Sequence, residues 1–274
     1  MQNHINGHCR FHLWPYSLAS GQQQGSLPDD ARSMRKFDSP SSILITGASS
    51  GIGAALALAY AGPGQNLMLS GRNATRLDAV AAQTRAMGAS CETRIVDVRD
   101  ALAIANMVTE ANRRAPLDLV IANAGISAGA HKLGNFPDAS DAELFATNVD
   151  GVVNTVAPAL ESMLERQHGQ VAIMSSLASF RAFREAPAYC ASKAAVRFYG
   201  AGLRRAHARD GVGVSVICPG FVRSPMTDAN RFPMPMLMPA DRAATIIHAK
   251  LTRNRGLIAF PIPMYFAVRA LALF

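Results

Sequence analysis

Seven short apolar runs alternate with helix-length segments along this chain, and that alternation restricts the fold more than any other feature. The runs are Ile43–Thr46, Leu67–Ser70, Thr93–Val96, Leu119–Ala122, Val171–Met174, Val214–Ile217 and Leu257–Phe260. Most are apolar nearly throughout, as strands are when a parallel sheet is covered on both faces. Between them lie Gly51–Ala61, Ala74–Met87, Ala101–Arg114, Asp141–Arg166, Ala188–Arg209 and Ala240–Arg253, each long enough for a helix. Strand and helix in regular alternation, joined by right-handed crossovers, predict a doubly wound α/β fold. The expected architecture is a parallel sheet of about seven strands in three α/β/α layers, formed by residues 41–261 as one domain.

The 274 residues, 49% apolar and 17% charged, suit one large globular domain. The net charge is +8, and the stretch from Arg197 to Phe274 holds 11 Arg/Lys against 3 Asp/Glu. These cations are not interleaved with aromatics, so a solvated basic face is expected and nucleic acid is not. Cys9, Cys91, Cys190 and Cys218 form no CxxC pair, and no His/Cys spacing marks a metal site. Buried thiols in the reducing cytoplasm are the expectation. Residues 1–40 are polar, include Gly21-Gln22-Gln23-Gln24-Gly25-Ser26, and lack the continuous apolar stretch of a secretory signal. They read as a disordered extension outside the fold. Residues 262–274 read as an apolar tail, too short and too interrupted by Pro263 and Arg269 to span a bilayer. Docking on a second copy in a homodimer or homotetramer is the first expectation for that tail, and peripheral membrane contact the second.

Directly after the first strand comes Thr46-Gly47-Ala48-Ser49-Ser50-Gly51-Ile52-Gly53, which opens the first helix. Glycines at such a turn allow backbone angles and close approaches that a Cβ forbids. The helix start then offers free N–H groups and a positive dipole end to a pyrophosphate. At the first strand-to-helix turn of a doubly wound sheet, this pattern points to a dinucleotide, with packing glycines as the bland alternative. After the second strand stands Ser70-Gly71-Arg72-Asn73, with no acid to select NAD. Arg72 suits a 2′-phosphate, so NADP(H) is preferred and NAD(H) is the fallback.

Tyr189 and Lys193 are four residues apart and share one helix face. An ammonium near a phenol favours the phenolate and would lower the tyrosine pKa from about 10, making a usable general acid and base. Alone, this pair is weak. Thirteen residues before Tyr189, Ser176 places a hydroxyl just past a central strand, and Asn148 adds an amide within an apolar helix.

As a set, Thr46-Gly47-x-x-x-Gly51-x-Gly53, Asp97-Val98, Asn123-Ala124-Gly125, Asn148, Ser176, Tyr189, Lys193 and Pro219-Gly220 resemble the short-chain dehydrogenase/reductase family over about residues 41–261. The resemblance implies a nicotinamide-dependent oxidoreductase acting between a carbonyl and a hydroxyl. It gives Tyr189 the proton transfer to substrate oxygen and Ser176 a hydrogen bond to that oxygen. Lys193 would hold the nicotinamide ribose and depress the Tyr189 pKa, and Asn148 would support a water relay. It places Gly47, Ser49, Ser50, Gly51, Ile52, Gly53 and Arg72 around the phosphates and adenosine ribose. Asp97 and Val98 would meet the adenine, and Asn123, Ala124 and Gly125 would line the cleft. Pro219, Gly220, Val222 and Ser224 would flank the nicotinamide. Two departures are small: Ala122 stands where a second asparagine is common, and Ser224 where threonine is usual.

Substrate information is thin. Ser224–Pro239, rich in Met and Pro, is expected to cover a partly apolar substrate with an adaptable wall. Residues 177–187 form another wall, and Arg181 and Arg184 within it leave an anionic substrate open. The alternative to an enzyme is a non-catalytic NADP(H)-binding sensor on the same fold, which would tolerate loss of Tyr189 or Lys193.

Overall fold

The computed structural model describes residues 37, 39–127, 140–228, 230 and 232–272. Most of the amino-terminal extension and residues 273–274 of the apolar tail therefore lie outside the described residues.

Each strand of the sheet is short, and the central ones are buried along their whole length. They are β1 (Ser42–Thr46), β2 (Asn66–Gly71), β3 (Ser90–Ile95), β4 (Leu119–Ala122), β5 (Gly169–Met174), β6 (Val212–Pro219) and β7 (Leu257–Phe260). Among the described residues these seven pair in parallel in the order β3-β2-β1-β4-β5-β6-β7. Register follows the pleat: Leu44 pairs with Val120, and both side chains face one layer of helices. Ile43, Ile45, Leu119 and Ile121 face the other.

The helices are α1 (Gly51–Ala59), α2 (Ala74–Ala86), α3 (Ala101–Arg114), α4 (Asp141–Phe145), α5 (Gly151–Glu165), α6 (Pro187–Ala206), α7 (Pro225–Asp228), α8 (Ala240–Leu251) and α9 (Ile262–Leu271). One core lies between the sheet and α1, α2 and α8; the second lies between the sheet and α3, α5 and α6. Local chemistry sets several helix starts. Asn73 caps α2 by accepting from Arg76 N–H at 2.9 Å, and Asp100 caps α3 through Ala103 N–H at 3.0 Å. Ser140 and Glu143 form a capping box on α4.

The structure departs from the sequence expectations in three places. The segment 141–166 is not one helix: a π turn, Ala146–Asp150, separates α4 from α5. Such widened turns re-aim side chains, and here the turn carries Asn148 into the interior. Strand β3 begins three residues earlier than expected. It is the sheet edge, so Glu92 and Arg94 are partly exposed and the apolar signal is diluted. Finally, residues 262–271 form α9, which packs on β7 and on a 3-10 turn, Leu177–Phe180, with Tyr265 edge-on to Phe180 at 5.3 Å. Pro263 falls in the first turn of α9, where its missing N–H costs nothing.

Phe37 also belongs to the packed structure. Its N–H donates to the Thr252 carbonyl at 3.2 Å, and its ring lies 6.0 Å from that of His168.

Leu44 is fully buried at the centre of the sheet, so Leu44→Ala should cost about 2–5 kcal/mol in urea denaturation. Leu102 on α3 is 72% exposed, and Leu102→Ala should stay within about 0.5 kcal/mol of the parent.

Candidate active site

The strand order reverses between β1 and β4, and at such a point the loops leaving neighbouring strands part to opposite sides, leaving a crevice. Here the two strand ends are tied together beneath the crevice. Thr46 Oγ1 accepts from Asn123 N–H at 3.1 Å and from Ala124 N–H at 3.2 Å. The Asn123 amide returns bonds to the Thr46 and Gly47 carbonyls at 2.9 and 3.1 Å. Gly47 has φ +66°, and a Cβ there would lie 2.8 Å from Ala124 Cα.

Above this floor runs a cleft of about 1090 Å³. Gly47, Ser49, Ser50, Gly51 and Ile52 line it from the first turn. Unlike α2 and α3, α1 starts without a side-chain cap, and like them it has no acid in its first turn. Its amino-terminal N–H groups therefore remain available on the cleft. Ser224 closes over this turn, since a Cβ on Gly51 would meet Ser224 Cβ at 2.9 Å. The Ser224 hydroxyl is 3.3 Å from that of Thr227.

At the β2 end stand Arg72, Asp97 and Val98, joined by Asn73 and Arg76, which sequence reasoning missed. A basic residue in a helix first turn reads locally as solvated, so Arg76 gave no signal. The Arg72 side chain is 60% exposed and approaches Asp97 at 3.8 Å. Asp97 is gripped more closely by Arg99, at 2.7 Å, and that hydrogen bond holds its carboxyl below the usual range. The buried Ser70 hydroxyl on the same wall has no partner among the described residues.

The chemistry-bearing groups gather where β5 ends. Ser176 follows β5, and its hydroxyl accepts from Ala178 N–H at 3.1 Å. Tyr189 hydrogen-bonds to Ser176 from α6 and is half-buried. Lys193, one turn on, is nearly fully buried; its Nζ donates to the Met174 carbonyl at 3.1 Å and lies 5.8 Å from the Tyr189 ring centroid. Burial lowers the Lys193 pKa to about 8. The expected lowering of the Tyr189 pKa is not what this geometry produces. Burial of the phenol raises it, and the bond to Ser176 only partly opposes that rise.

Two of the candidate residues do not line the cleft. Gly53 lies inside α1, where a Cβ would come within 2.5 Å of Asn123 Nδ2, so its role is to let helix and strand end meet. Asn148 is fully buried below the surface of the cleft. Its Oδ1 accepts from Ile126 N–H at 2.8 Å, and its Nδ2 donates to the Ile126 carbonyl at 2.9 Å and to Ser192 Oγ at 3.2 Å. Gly125 lets this amide and Lys193 approach, since a Cβ there would meet Asn148 Oδ1 at 3.0 Å and Lys193 Nζ at 3.1 Å. Asn123, Ala124, Gly125, Pro219, Gly220 and Val222 all border the cleft. So do Met264 and Val268 of α9, which no local motif announced. Cys91, Cys190 and Cys218 are buried free thiols whose pKa values burial raises, Cys218 to about 11. Among the described residues no group of side chains is placed to hold a metal ion.

An uncapped helix start, a glycine floor and two arginines at the β2 end fit a dinucleotide, while a serine, a phenol and an ammonium fit proton transfer beside it. This is the site of a nicotinamide-dependent oxidoreductase. The pattern defining the short chain dehydrogenases matches residues 41–233, and the chain belongs to that family. It is 36% identical to an uncharacterised oxidoreductase of Myxococcus xanthus, over 80% of this chain and 86% of the relative. A short chain dehydrogenase/reductase of Burkholderia phymatum, solved in complex with NAD, superposes with a TM-score of 0.76 at 25% identity, covering 86% of this chain and 94% of that one. A short-chain dehydrogenase from Sphingobium yanoikuyae, solved in complex with NADPH, gives 0.71 at 25% identity, covering 85% and 91%.

Gly53→Ala should destabilise the protein by about 1–3 kcal/mol in thermal or urea denaturation, although alanine is the better helix former. Gly202→Ala on α6, where a Cβ meets nothing within 4 Å, should instead gain about 0.5–1 kcal/mol.

Proposed function

We propose that the protein is an NADP(H)-dependent oxidoreductase acting on a carbonyl or secondary alcohol carbon of a partly apolar substrate. The observation that carries this reading is the meeting of Ser176, Tyr189 and Lys193 at the end of β5, in the same cleft as Arg72 and Arg76. Bound along the cleft, the cofactor supplies or takes up the hydride. In the reducing direction Ser176 Oγ and Tyr189 Oη both hydrogen-bond the substrate oxygen and stabilise the charge growing there. Tyr189 gives its proton to that oxygen, and its raised pKa keeps the proton in place at neutral pH. Lys193, as an ammonium, steadies the phenolate left behind and binds the nicotinamide ribose. Asn148 uses both amide protons on protein partners, which leaves an Oδ1 lone pair for a water that returns the proton. In this reading Asn148 is a positioning residue. Keeping hydroxyl, phenol and ammonium together is what a catalyst needs, and a non-catalytic sensor has no use for them.

The preference for NADP(H) rests on two guanidiniums and no acid at the end of β2. Arg72 and Arg76 both border the cleft there and would share a 2′-phosphate, and Ser70 stands where an acid would repel it. The reading extends to a homodimer or homotetramer in the cytoplasm, in which Phe198, Ile262 and Phe266 become covered; peripheral membrane contact through α9 is second. These side chains are 67%, 56% and 63% exposed. No helix among the described residues is long and apolar enough to cross a membrane. Sedimentation with and without lipid vesicles separates the two.

Side-by-side fluorescence titration should show NADPH binding more tightly than NADH. Arg72→Ala should weaken NADPH by about tenfold or more and leave NADH within about twofold. Tyr189→Phe should retain NADPH binding and lose turnover; near-normal turnover in that variant sinks the mechanism.

The pH profile has a defined sign. Burial lowers the Lys193 pKa to about 8, so the ammonium is present below that value and lost above it. Carbonyl reduction measured as kcat/KM should therefore be full below about pH 8 and fall as pH rises through it. Lys193→Met should remove that limb along with most of the rate.

A further inference from the structure

The two ends of the cleft lie at opposite sides of the strand order, and their chemistry differs. Over β2 and β3 the lining carries Arg72, Arg76 and Asp97. Over β5, β6 and β7 it is built from Leu177, Phe183, Phe221, Phe232, Met264 and Val268. These come from three separate segments that converge beside Gly220. A Cβ on Gly220 would meet Met264 Sδ at 2.8 Å and Leu177 Cδ1 at 3.5 Å. Phe221 and Phe232 stack edge-on at 5.9 Å.

Among the described residues the charged side chains bordering this apolar end are Lys193 and Glu185. Lys193 is bonded to the Met174 carbonyl. Glu185 is an acid at the rim, held by Arg184 at 2.6 Å. The two arginines that left an anionic substrate open are both committed elsewhere. Arg184 is 94% exposed and pairs with Glu185. Arg181 donates to the Leu271 carbonyl at the end of α9. Arg197, the next cation on α6, is stacked 4.4 Å from the Phe180 ring centroid and 4.6 Å from that of Phe198. Among the described residues no cation other than Lys193 lines this end, so a bare anion there would lose its hydration with little compensation.

We propose that this end of the cleft receives an uncharged carbonyl compound or secondary alcohol bearing apolar groups, and that Met264 and Val268 of α9 form the wall that limits its size. The proposal rests on the oxidoreductase reading for the place of the reacting oxygen at Tyr189. Met264 and Val268 are one helical turn apart and face inward together, while Ile262 and Phe266 face out. Arg181 and the Phe180–Tyr265 contact hold the helix at its far and near ends.

The test compares acetylnaphthalene with acetylnaphthoate, the same aryl ketone with an added carboxylate, on the full chain with NADPH. Binding is read by equilibrium dialysis and turnover by cofactor absorbance. The neutral ketone should bind and turn over at least about tenfold better than the carboxylated one. Val268→Lys, which brings a cation to the wall, should narrow that gap by at least about threefold; if it fails to fold, the parent comparison still decides. Met264→Ala should raise kcat/KM for acetylnaphthalene relative to acetophenone by at least about threefold. Equal or better binding of the carboxylate, or no saturable binding of the neutral ketone, overturns the substrate class. An unchanged naphthyl-to-phenyl ratio in Met264→Ala overturns the role of α9. Neutral-selective binding without turnover would leave the substrate class standing and strike the oxidoreductase reading instead.

Discussion

Thr46 and Asn123 tie the ends of β1 and β4 together at the place where the chain winds away in opposite directions. Everything functional in this molecule is arranged around that tie. It satisfies backbone groups that a parting of two strands would otherwise leave bare. It also fixes the Gly47 turn, and through Gly53 it sets how closely α1 approaches the sheet. A helix held that near, and left uncapped, presents its N–H groups to the cleft and not to its own side chains. The floor of the site is thus a by-product of solving a hydrogen-bonding problem at the centre of the sheet.

From that floor the electrostatics grade in one direction. Two guanidiniums stand at the β2 end, one buried ammonium stands near the middle, and apolar side chains fill the β7 end. The middle position is the costly one. Lys193 gives up nearly all its solvent and keeps a carbonyl partner, which moves its proton affinity toward the physiological range. Tyr189 is displaced the opposite way by the same burial. The two shifts bring the pKa of the ammonium below that of the phenol, so the phenol keeps its proton at neutral pH.

How much of this could be read beforehand depended on whether the signal was local. The buried central strand β4 announces itself because both of its faces must be apolar, and its bounds agree with the sequence reading. The edge strand β3 does not, since Glu92 and Arg94 meet solvent. The turn glycines, Ser176, Tyr189 and Lys193 were legible as a spaced set. The π turn around Asn148 was not, because nothing in Ala146–Asp150 forbids an ordinary helix; the widening accompanies long-range bonds from one amide to Ile126 and Ser192. Arg76 and α9 were hidden for a related reason. A first-turn arginine reads as solvated and the apolar stretch 262–274 as a docking tail, and only the fold turns both toward the cleft.

The position of α9 along the chain has a consequence for how the protein is made. Every strand of the sheet precedes it, so the sheet and the tie between β1 and β4 are complete in sequence before Met264 and Val268 are added. A ribosome-bound chain can form the scaffold, with its cofactor crevice, while one wall of the cleft is still inside the exit tunnel. The wall that α9 supplies is then added to a scaffold already laid down. Its residues lie outside the two cores that flank the sheet, although Met264 and Tyr265 pack on Leu177, Val216 and Cys218, so change there is felt by the cleft before it is felt by the scaffold.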